Sequence, residues 1–210
     1  MINLFGFPVY KTSLLNYKYN RDELIKTINY NYDLDNNRNS WNNEWSDLHH
    51  SIADNNDKFK LPNYSQLLPI YGKCIESFIK KLKINNIVKV DYKIVNYTCM
   101  SDKQYMQSHL HTDADFTGVH YLQYDTTLNN STTFNNSSHH SKYIDSIRPK
   151  LKENFDNEDT GNSWLFQHFK LPTIQDDLVI FPAMMQHSIS KVKTTKRRMT
   201  IIFNLNIEKC

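Results

Sequence analysis

A histidine and an aspartate two residues apart stand at the start of an alternating stretch of this sequence. They are His111 and Asp113, in SHLHTDADFTGVHYLQYD, residues 108–125. On an extended segment, side chains two residues apart project to the same side, so this imidazole and this carboxylate could reach one cation. Such a ligand pair suits iron(II), manganese or zinc. Alone it is more often a surface hydrogen-bonding pair, so a metal site requires a third ligand.

His187 is the candidate for that third ligand. It stands in DLVIFPAMMQHSISKV, where it follows a buried strand and a turn at Pro182. Because it is far from His111 in the chain, only a fold that brings distant strands together could assemble the site. Which residues supply the first two ligands stays open. His109 and His111 could form the pair instead of His111 and Asp113, and Asp115 is a second possible carboxylate.

A candidate anion site follows His187 in the chain. Arg198 opens RMTIIFNLNI, which alternates like a strand, and Thr200 lies on the same face. A guanidinium and a hydroxyl two residues apart can together hold a carboxylate. Arg197 and Arg198 face opposite sides of such a strand, so only one of them can point inward.

The elements that must position these residues are two helices followed by strands. Residues 22–32 carry an apolar stripe typical of a short helix, and a stronger helical stripe runs from Ile70 to Leu82. From residue 88 the apolar period changes to two. The candidate strands are VKVDYKIVNYTCM, FTGVHYLQYD, SWLFQHFKL, DDLVIFP, HSISKVK and RRMTIIFNLNI. This order predicts an α+β chain built around an antiparallel sheet or barrel, which the apolar faces of the helices cover.

The remaining segments are predicted as an edge strand and two loops. NLFGFPVYKTSL reads as one edge strand, where Pro8 is tolerated. Residues 35–60 form a polar loop pinned by its tryptophans, and residues 126–162 form a long polar loop whose length suggests a lid over a cavity. The tryptophans, Trp41 and Trp45, are expected to pack, and the histidine pairs of the two loops, His49–His50 and His139–His140, are expected to be solvated.

Length and composition set the class of protein. The 210 residues are predicted to form one domain, with an N-terminal part of strand, helices and loop (1–87) and a β core (88–210). The 25 basic and 22 acidic residues are spread along the chain, so nucleic-acid binding has little electrostatic support. Three cysteines without ligand spacing favour a reducing compartment. No segment has the pattern of a signal peptide or membrane span, so we expect a soluble, cytoplasmic protein without a membrane partner.

The order of HxD, distal histidine, and arginine with threonine two residues later resembles the iron(II)- and 2-oxoglutarate-dependent dioxygenases. More closely, NLFGFPVY, TGVHYLQY, VIFPAMMQHSI and RMTIIFN are similar to segments of the small bacterial and phage-encoded 2-oxoglutarate oxygenases. The resemblance covers most of the chain and is firmest over residues 88–125 and 174–207. It implies a double-stranded β-helix, a jelly-roll or cupin-like fold, with the N-terminal helices packed on the major sheet. A phage-encoded protein would act in the host cytoplasm.

The resemblance also implies a ligand set and a reaction. His111, Asp113 and His187 would bind iron(II), leaving positions for 2-oxoglutarate and dioxygen. The products would be succinate, carbon dioxide and a hydroxylated substrate. The substrate is unidentified and could be a protein side chain, a nucleotide, a small molecule or a glycan, and the oligomeric state is also open.

Residues of the cosubstrate site are implied in the same way. Arg198, rather than Arg197, leads the last-strand motif of the family and would pair with the distal carboxylate of 2-oxoglutarate. Further contacts to the cosubstrate would come from Thr200, Tyr121 and Asn96. The chain departs from the family at the turn before VIFP, where Asp176-Asp177 replaces the common Gly-Asp.

Two other classes of function fit the sequence. One is a non-catalytic jelly-roll module that binds carbohydrate or serves as a phage structural protein. The other is a cupin-like metalloenzyme that does not use 2-oxoglutarate. Arg198 distinguishes the oxygenase from both, because neither alternative needs a carboxylate-binding group beside the metal.

Overall fold

The computed structural model describes residues 1–4, 6–34, 46–51, 58–83, 88–129, 131–136 and 166–209. These residues contain two helices, α1 (Arg21–Leu34) and α2 (Leu67–Lys81), and twelve strands. The strands are β1 (Ile2–Leu4), β2 (Phe7–Ser13), β3 (Ser46–Asp47), β4 (His49–His50), β5 (Val88–Met100), β6 (Tyr105–His109), β7 (Phe116–Gln123), β8 (Thr133–Asn135), β9 (His168–Lys170), β10 (Asp177–Pro182), β11 (His187–Ile189) and β12 (Arg198–Lys209). They pair antiparallel in a major sheet, β1-β2-β10-β7-β12-β5-β4, and a minor sheet, β3-β6-β11-β8-β9.

Alternation along β12 separates the two layers of the molecule. One set of side chains packs with the helices on the outer face of the major sheet, namely Met199, Ile201, Phe203 and Leu205. The other set faces the space between the sheets, namely Arg198, Thr200, Ile202 and Asn204. The predicted α+β architecture, with the helices on the major sheet, is confirmed.

Close packing of α2 on the sheet depends on a glycine. A Cβ added to Gly118 on β7 would lie 2.1 Å from Cζ of Phe203 on the neighbouring β12. The missing side chain therefore lets the Phe203 ring lie over β7 and pack against Tyr71 of α2, with ring centroids 5.0 Å apart. Small size, rather than backbone freedom, is what this position requires.

The strands with sustained alternation are where the sequence placed them, but the N-terminal prediction is wrong. β5 spans the predicted segment, β7 and β10 lie within theirs, and β12 begins within its segment and runs two residues past the end, to Lys209. The single N-terminal edge strand is instead a hairpin of β1 and β2, which turns at Gly6 with φ of +89°. Pro8 lies opposite Asn3 of β1, in the part of β2 that β10 does not pair. A proline is tolerated there because no ladder donor to β10 is lost.

The Asp176-Asp177 turn keeps the geometry of a glycine turn. Asp176 adopts φ of +63°, in the left-handed region where glycine is favoured. Its buried carboxylate accepts a hydrogen bond from Tyr19 Oη at 2.6 Å and pairs with Arg21 at 3.1 Å. These contacts, together with His120 Nε2 at 3.4 Å, fasten the turn to α1 and β7. The departure from the family is therefore compensated by a buried polar network.

A short segment, residues 46–50, connects the two sheets at one edge. β3 pairs with β6 of the minor sheet, whereas β4 pairs with β5 of the major sheet. Leu48 between them is fully buried. His49 and His50 are also buried, so the prediction that they are solvated is wrong. It failed because two-residue strands are too short to produce a period.

Several predicted features fall partly or wholly outside the described residues. Of the predicted loop 126–162, residues 133–135 form β8 instead, and residues 137–162, with the lid prediction, lie outside. The tryptophans and the second histidine pair also lie outside, at Trp41, Trp45, His139 and His140. Within the part of the chain that the structure describes, neither helix is long and apolar enough to cross a membrane.

Candidate metal centre and cosubstrate pocket

Three imidazoles meet where β6 and β11 lie side by side. His109, the last residue of β6, is the cross-strand partner of His187, the first residue of β11. Their ring centroids are 4.2 Å apart. His111 follows one alternation later, and one ligand nitrogen from each of the three rings lies within 4.8 Å of the others. The cluster is the kind of donor set that a divalent transition metal takes.

Backbone carbonyls fix the orientation of two of these rings. Nδ1 of His109 is 2.9 Å from the carbonyl oxygen of Gln107, and Nδ1 of His187 is 2.9 Å from that of Met185. A carbonyl only accepts, so each Nδ1 carries the hydrogen and each Nε2 keeps a free lone pair. This is the arrangement by which proteins orient metal-binding histidines.

Burial keeps the cluster uncharged at neutral pH. It lowers the pKa of His111 to about 4 and that of His187 well below its ordinary range, and neighbouring imidazoles lower both further. The pKa of His109 is also lowered by burial, although its contact with the Gln107 carbonyl opposes the shift. Neutral imidazoles can bind a metal without first releasing a proton.

Asp113 lies beside this cluster but is not one of its mutually close donors. Thr112 and Asp113 form a bend, so the extended geometry that would project His111 and Asp113 to one side is absent. Asp113 is exposed at the cavity wall, and its Oδ2 accepts a hydrogen bond from Asn204 Nδ2 at 3.3 Å. The other candidate carboxylate, Asp115, accepts from the backbone N–H of Ile207 at 2.8 Å and so ties the bend to β12.

One cavity of about 210 Å³ collects most of the predicted site residues. Six of the seven line it, namely His111, Asp113, His187, Arg198, Thr200 and Asn96. The seventh, Tyr121, is buried behind the cavity, where its hydroxyl donates to Thr132 Oγ1 at 2.7 Å. The wall also contains His109 and apolar side chains such as Val119 and Ile202.

Arg198 presents a buried cation to this cavity. It is 1% exposed, and its guanidinium lies 5.3 Å from the centroid of the Tyr121 ring. Burial lowers the pKa of Arg198, and Tyr121 and Tyr124 oppose that shift. Arg197 points the other way, where it pairs with Asp33 of α1 and with Asn29. The prediction that one arginine faces inward and the other outward is confirmed.

Three polar side chains line the cavity together with Arg198. Thr200 and Thr98 share a hydrogen bond of 2.6 Å between their hydroxyls, across β12 and β5. Asn96, two residues before Thr98, is 7% exposed, and its Oδ1 has no hydrogen-bond partner among the described residues. Buried polar atoms normally have a hydrogen-bond partner, so this oxygen is an exception that could accept a hydrogen bond from a molecule bound in the cavity.

His50 is a cavity residue that the sequence did not reveal. It lines the wall beside Thr98, its cross-strand neighbour, and it is 4% exposed. Burial lowers the pKa of His50 to about 4, and the imidazoles of His49, His109 and His111 lower it further. The adjacent His49 faces the other side of the sheet, with Nε2 3.1 Å from Tyr97 Oη.

Two antiparallel sheets that enclose a cavity, with helices on the major sheet, define the double-stranded β-helix of the 2-oxoglutarate oxygenases. A family model described as "Putative 2OG-Fe(II) oxygenase" matches residues 96–204, which is more than half of the chain. The chain therefore belongs to this family, as the sequence resemblance predicted. No curated protein sequence matches it significantly.

Solved structures support the fold. A prolyl-4-hydroxylase from Pseudomonas putida matches with a TM-score of 0.55 and 8% identity, over 97% of this chain and 94% of that one. A prolyl hydroxylase from Trichoplax adhaerens, solved with a peptide fragment of a hypoxia inducible factor oxygen degradation domain, matches with a TM-score of 0.54. Its identity is 11%, over 94% of this chain and 83% of that one. At such identities the likeness concerns the fold.

Proposed function

We propose that this protein is an iron(II)- and 2-oxoglutarate-dependent dioxygenase that hydroxylates its substrate. The observation that carries the proposal is that a cluster of neutral imidazoles and a buried guanidinium line the same cavity. The first can hold a divalent metal and the second can hold a carboxylate. A jelly-roll binding module, or a metalloenzyme that does not use 2-oxoglutarate, has no need of the second.

His111 and His187 belong to every ligand set that the site allows. The third ligand is Asp113 in the set implied by the family resemblance, and His109 in the set that the clustering of side chains favours. With iron(II) and 2-oxoglutarate bound, reaction with dioxygen would release succinate and carbon dioxide and place one oxygen atom in a C–H bond of the substrate.

Arg198 would hold the distal carboxylate of 2-oxoglutarate by charge-assisted hydrogen bonds. Thr200, on the same face of β12, would add a hydroxyl donor to that carboxylate. Tyr121 would stabilise the guanidinium from behind the cavity, since its ring centroid lies 5.3 Å from Arg198 Cζ. The Asn96 amide would contact the bound molecules from β5, where its Oδ1 can accept a hydrogen bond.

The apolar part of the wall would protect the reaction. Val119 of β7 and Ile202 of β12 line the cavity from the major sheet and are 7% exposed. Such a lining excludes water, which strengthens the interaction between Arg198 and its carboxylate. It also limits reaction of an oxidising centre with anything other than the positioned substrate.

Anaerobic titration of the purified protein with iron(II) and 2-oxoglutarate tests the proposal. Chelation of 2-oxoglutarate by iron(II) produces a weak visible charge-transfer band, which we expect in the wild type and not in His187→Ala. His168→Ala is the matched control, because His168 is an exposed histidine of the same minor sheet and lies outside the cavity. A wild-type protein that gives no band with both additions would refute the proposed function.

A further inference from the structure

We propose that the metal is held by three histidines, His109, His111 and His187, and that Asp113 is not a ligand. This inference rests on the proposed function and changes its ligand set. The ligand set would then consist of three neutral imidazoles, and it would begin at His109, two residues before the first ligand of the expected 2-His-1-carboxylate triad.

The pairing of β6 with β11 carries the first part of the argument. Side chains of directly opposed residues on antiparallel strands point to the same face of the sheet. His109 and His187 are such a pair, and their ring centroids lie 4.2 Å apart. A metal held by His187 is therefore within reach of His109 without movement of the backbone.

The path of the chain after β6 carries the second part. The backbone N–H of His111 donates to the carbonyl of Ala183 at 2.9 Å, which holds this residue beside the turn that leads into β11. His109 and His111 therefore present their rings to the same space, with centroids 5.4 Å apart. The bend at Thr112 and Asp113 begins only after this point.

The orientation and spacing of the candidate ligand atoms distinguish the two sets further. His109 and His187 each have Nδ1 committed to a carbonyl two residues earlier in the chain, so both direct Nε2 toward the cluster. Asp113 instead directs Oδ2 to the amide of Asn204 at 3.3 Å. Because a carboxylate can bind a metal through one oxygen while the other accepts from an amide, the Asn204 contact is compatible with either set. Distance and orientation favour the histidines: ligand nitrogens of His109, His111 and His187 lie within 4.8 Å of one another, in a group that does not contain Asp113, and His109 is oriented by the kind of contact that orients metal ligands.

Charge distinguishes the two sets in function. Three imidazoles offset none of the double charge of a divalent ion, and 2-oxoglutarate would offset one unit of it through the carboxylate nearer the metal, because its distal carboxylate would pair with Arg198. Asp113 then remains a negative group at the exposed part of the cavity wall, beside the buried amide of Asn204. In a carboxylate triad, the Asp113 carboxylate would instead bind the metal and offset part of its positive charge.

Cobalt(II) titration of the metal-free protein tests the ligand set without any measurement of activity. We expect His109→Ala and His111→Ala to weaken cobalt binding at least about 100-fold, beyond the loss of about 10- to 100-fold typical of outer-shell partners. Asp113→Ala should change the affinity by less than about fivefold, as a solvent-screened charge does. His168→Ala again serves as the matched histidine control.

Nuclear magnetic resonance of the cobalt-loaded wild type gives a second measurement that depends on no variant. Protein labelled with ¹⁵N in its imidazoles should show hyperfine-shifted signals from three coordinated rings. Two coordinated rings, with loss of cobalt in Asp113→Ala and retention in His109→Ala, would overturn the inference and leave the oxygenase function standing. Absence of cobalt binding in the wild type would overturn both.

Discussion

Replacement of Arg198 by methionine should weaken binding of 2-oxoglutarate far more than any surface change. The guanidinium is 1% exposed and lines the same cavity as the imidazole cluster, so its pairing with a carboxylate would be desolvated. Loss of one partner of a buried, hydrogen-bonded charge pair costs about 2 to 5 kcal/mol. At about 1.4 kcal/mol per tenfold, the dissociation constant should rise about 30-fold to 4000-fold. Methionine keeps an unbranched stem, so the change removes charge and donors more than packing.

Anaerobic titration with 2-oxoglutarate at fixed iron(II), followed by the charge-transfer band, measures this constant. Arg197→Met is the matched control, because Arg197 is the adjacent arginine and pairs with Asp33 on the helix side. It should alter the constant by less than about twofold, since surface ion pairs contribute about 1 kcal/mol or less even to stability. Arg198→Lys should lie between the two, because lysine keeps the charge but loses the planar pair of donors. An unchanged constant in Arg198→Met would refute the assignment of the cosubstrate site.

Three further predictions follow from the packing and the site. Gly118→Ala should lower the free energy of unfolding by about 1 to 3 kcal/mol in urea denaturation, because its Cβ would meet the Phe203 ring at 2.1 Å; unchanged stability would contradict that packing. Cobalt(II) at about 100 times its dissociation constant should stabilise the wild type by about 2.7 kcal/mol, seen as a higher melting temperature that a chelator reverses and that His187→Ala lacks. Burial lowers the pKa of His120 below its ordinary 6.5, although Asp176 opposes the shift. The unfolded state therefore takes up this proton first, and stability should fall as pH drops below about 6.5. His120→Gln should make the decline in urea stability between pH 7 and 5 shallower, and an equal decline would contradict the pKa direction.

The strands that carry the proposed cosubstrate site were predictable where their alternation is long. β12 spans twelve residues, so the period alone predicts that Arg197 and Arg198 face opposite sides, whereas the choice of Arg198 as the inward residue depended on the family resemblance. β5, with thirteen residues, was found for the same reason, whereas β10 is marked by a continuous apolar run, Leu178 to Phe181. The order of the strands in the sheet could not be predicted in this way, because no local sequence pattern indicates that β12 lies between β7 and β5.

The imidazole cluster was only partly predictable, because its strands are short and weakly patterned. In β6, Met106 is the one buried residue of five, so Tyr105–His109 gave no apolar period and His109 was not recognised as a strand residue. Its partnership with His187 depends on a pairing between segments far apart in the chain. His50 was missed because its burial comes entirely from the pairing of a two-residue strand with β5.

The order in which the chain visits the two sheets has a consequence for folding. From β5 onward the chain repeatedly crosses between them, and β12 then enters the middle of the major sheet, between strands formed much earlier in the sequence. Neither sheet can be completed by a continuous part of the chain, so assembly relies on pairings of long sequence separation, which slow folding. A nascent chain that lacks residues 198–209 has an open gap between β5 and β7 and also lacks Arg198. The capacity to capture 2-oxoglutarate would thus be acquired only in the step that closes the major sheet, so that incompletely folded chains would not hold the cosubstrate beside a metal.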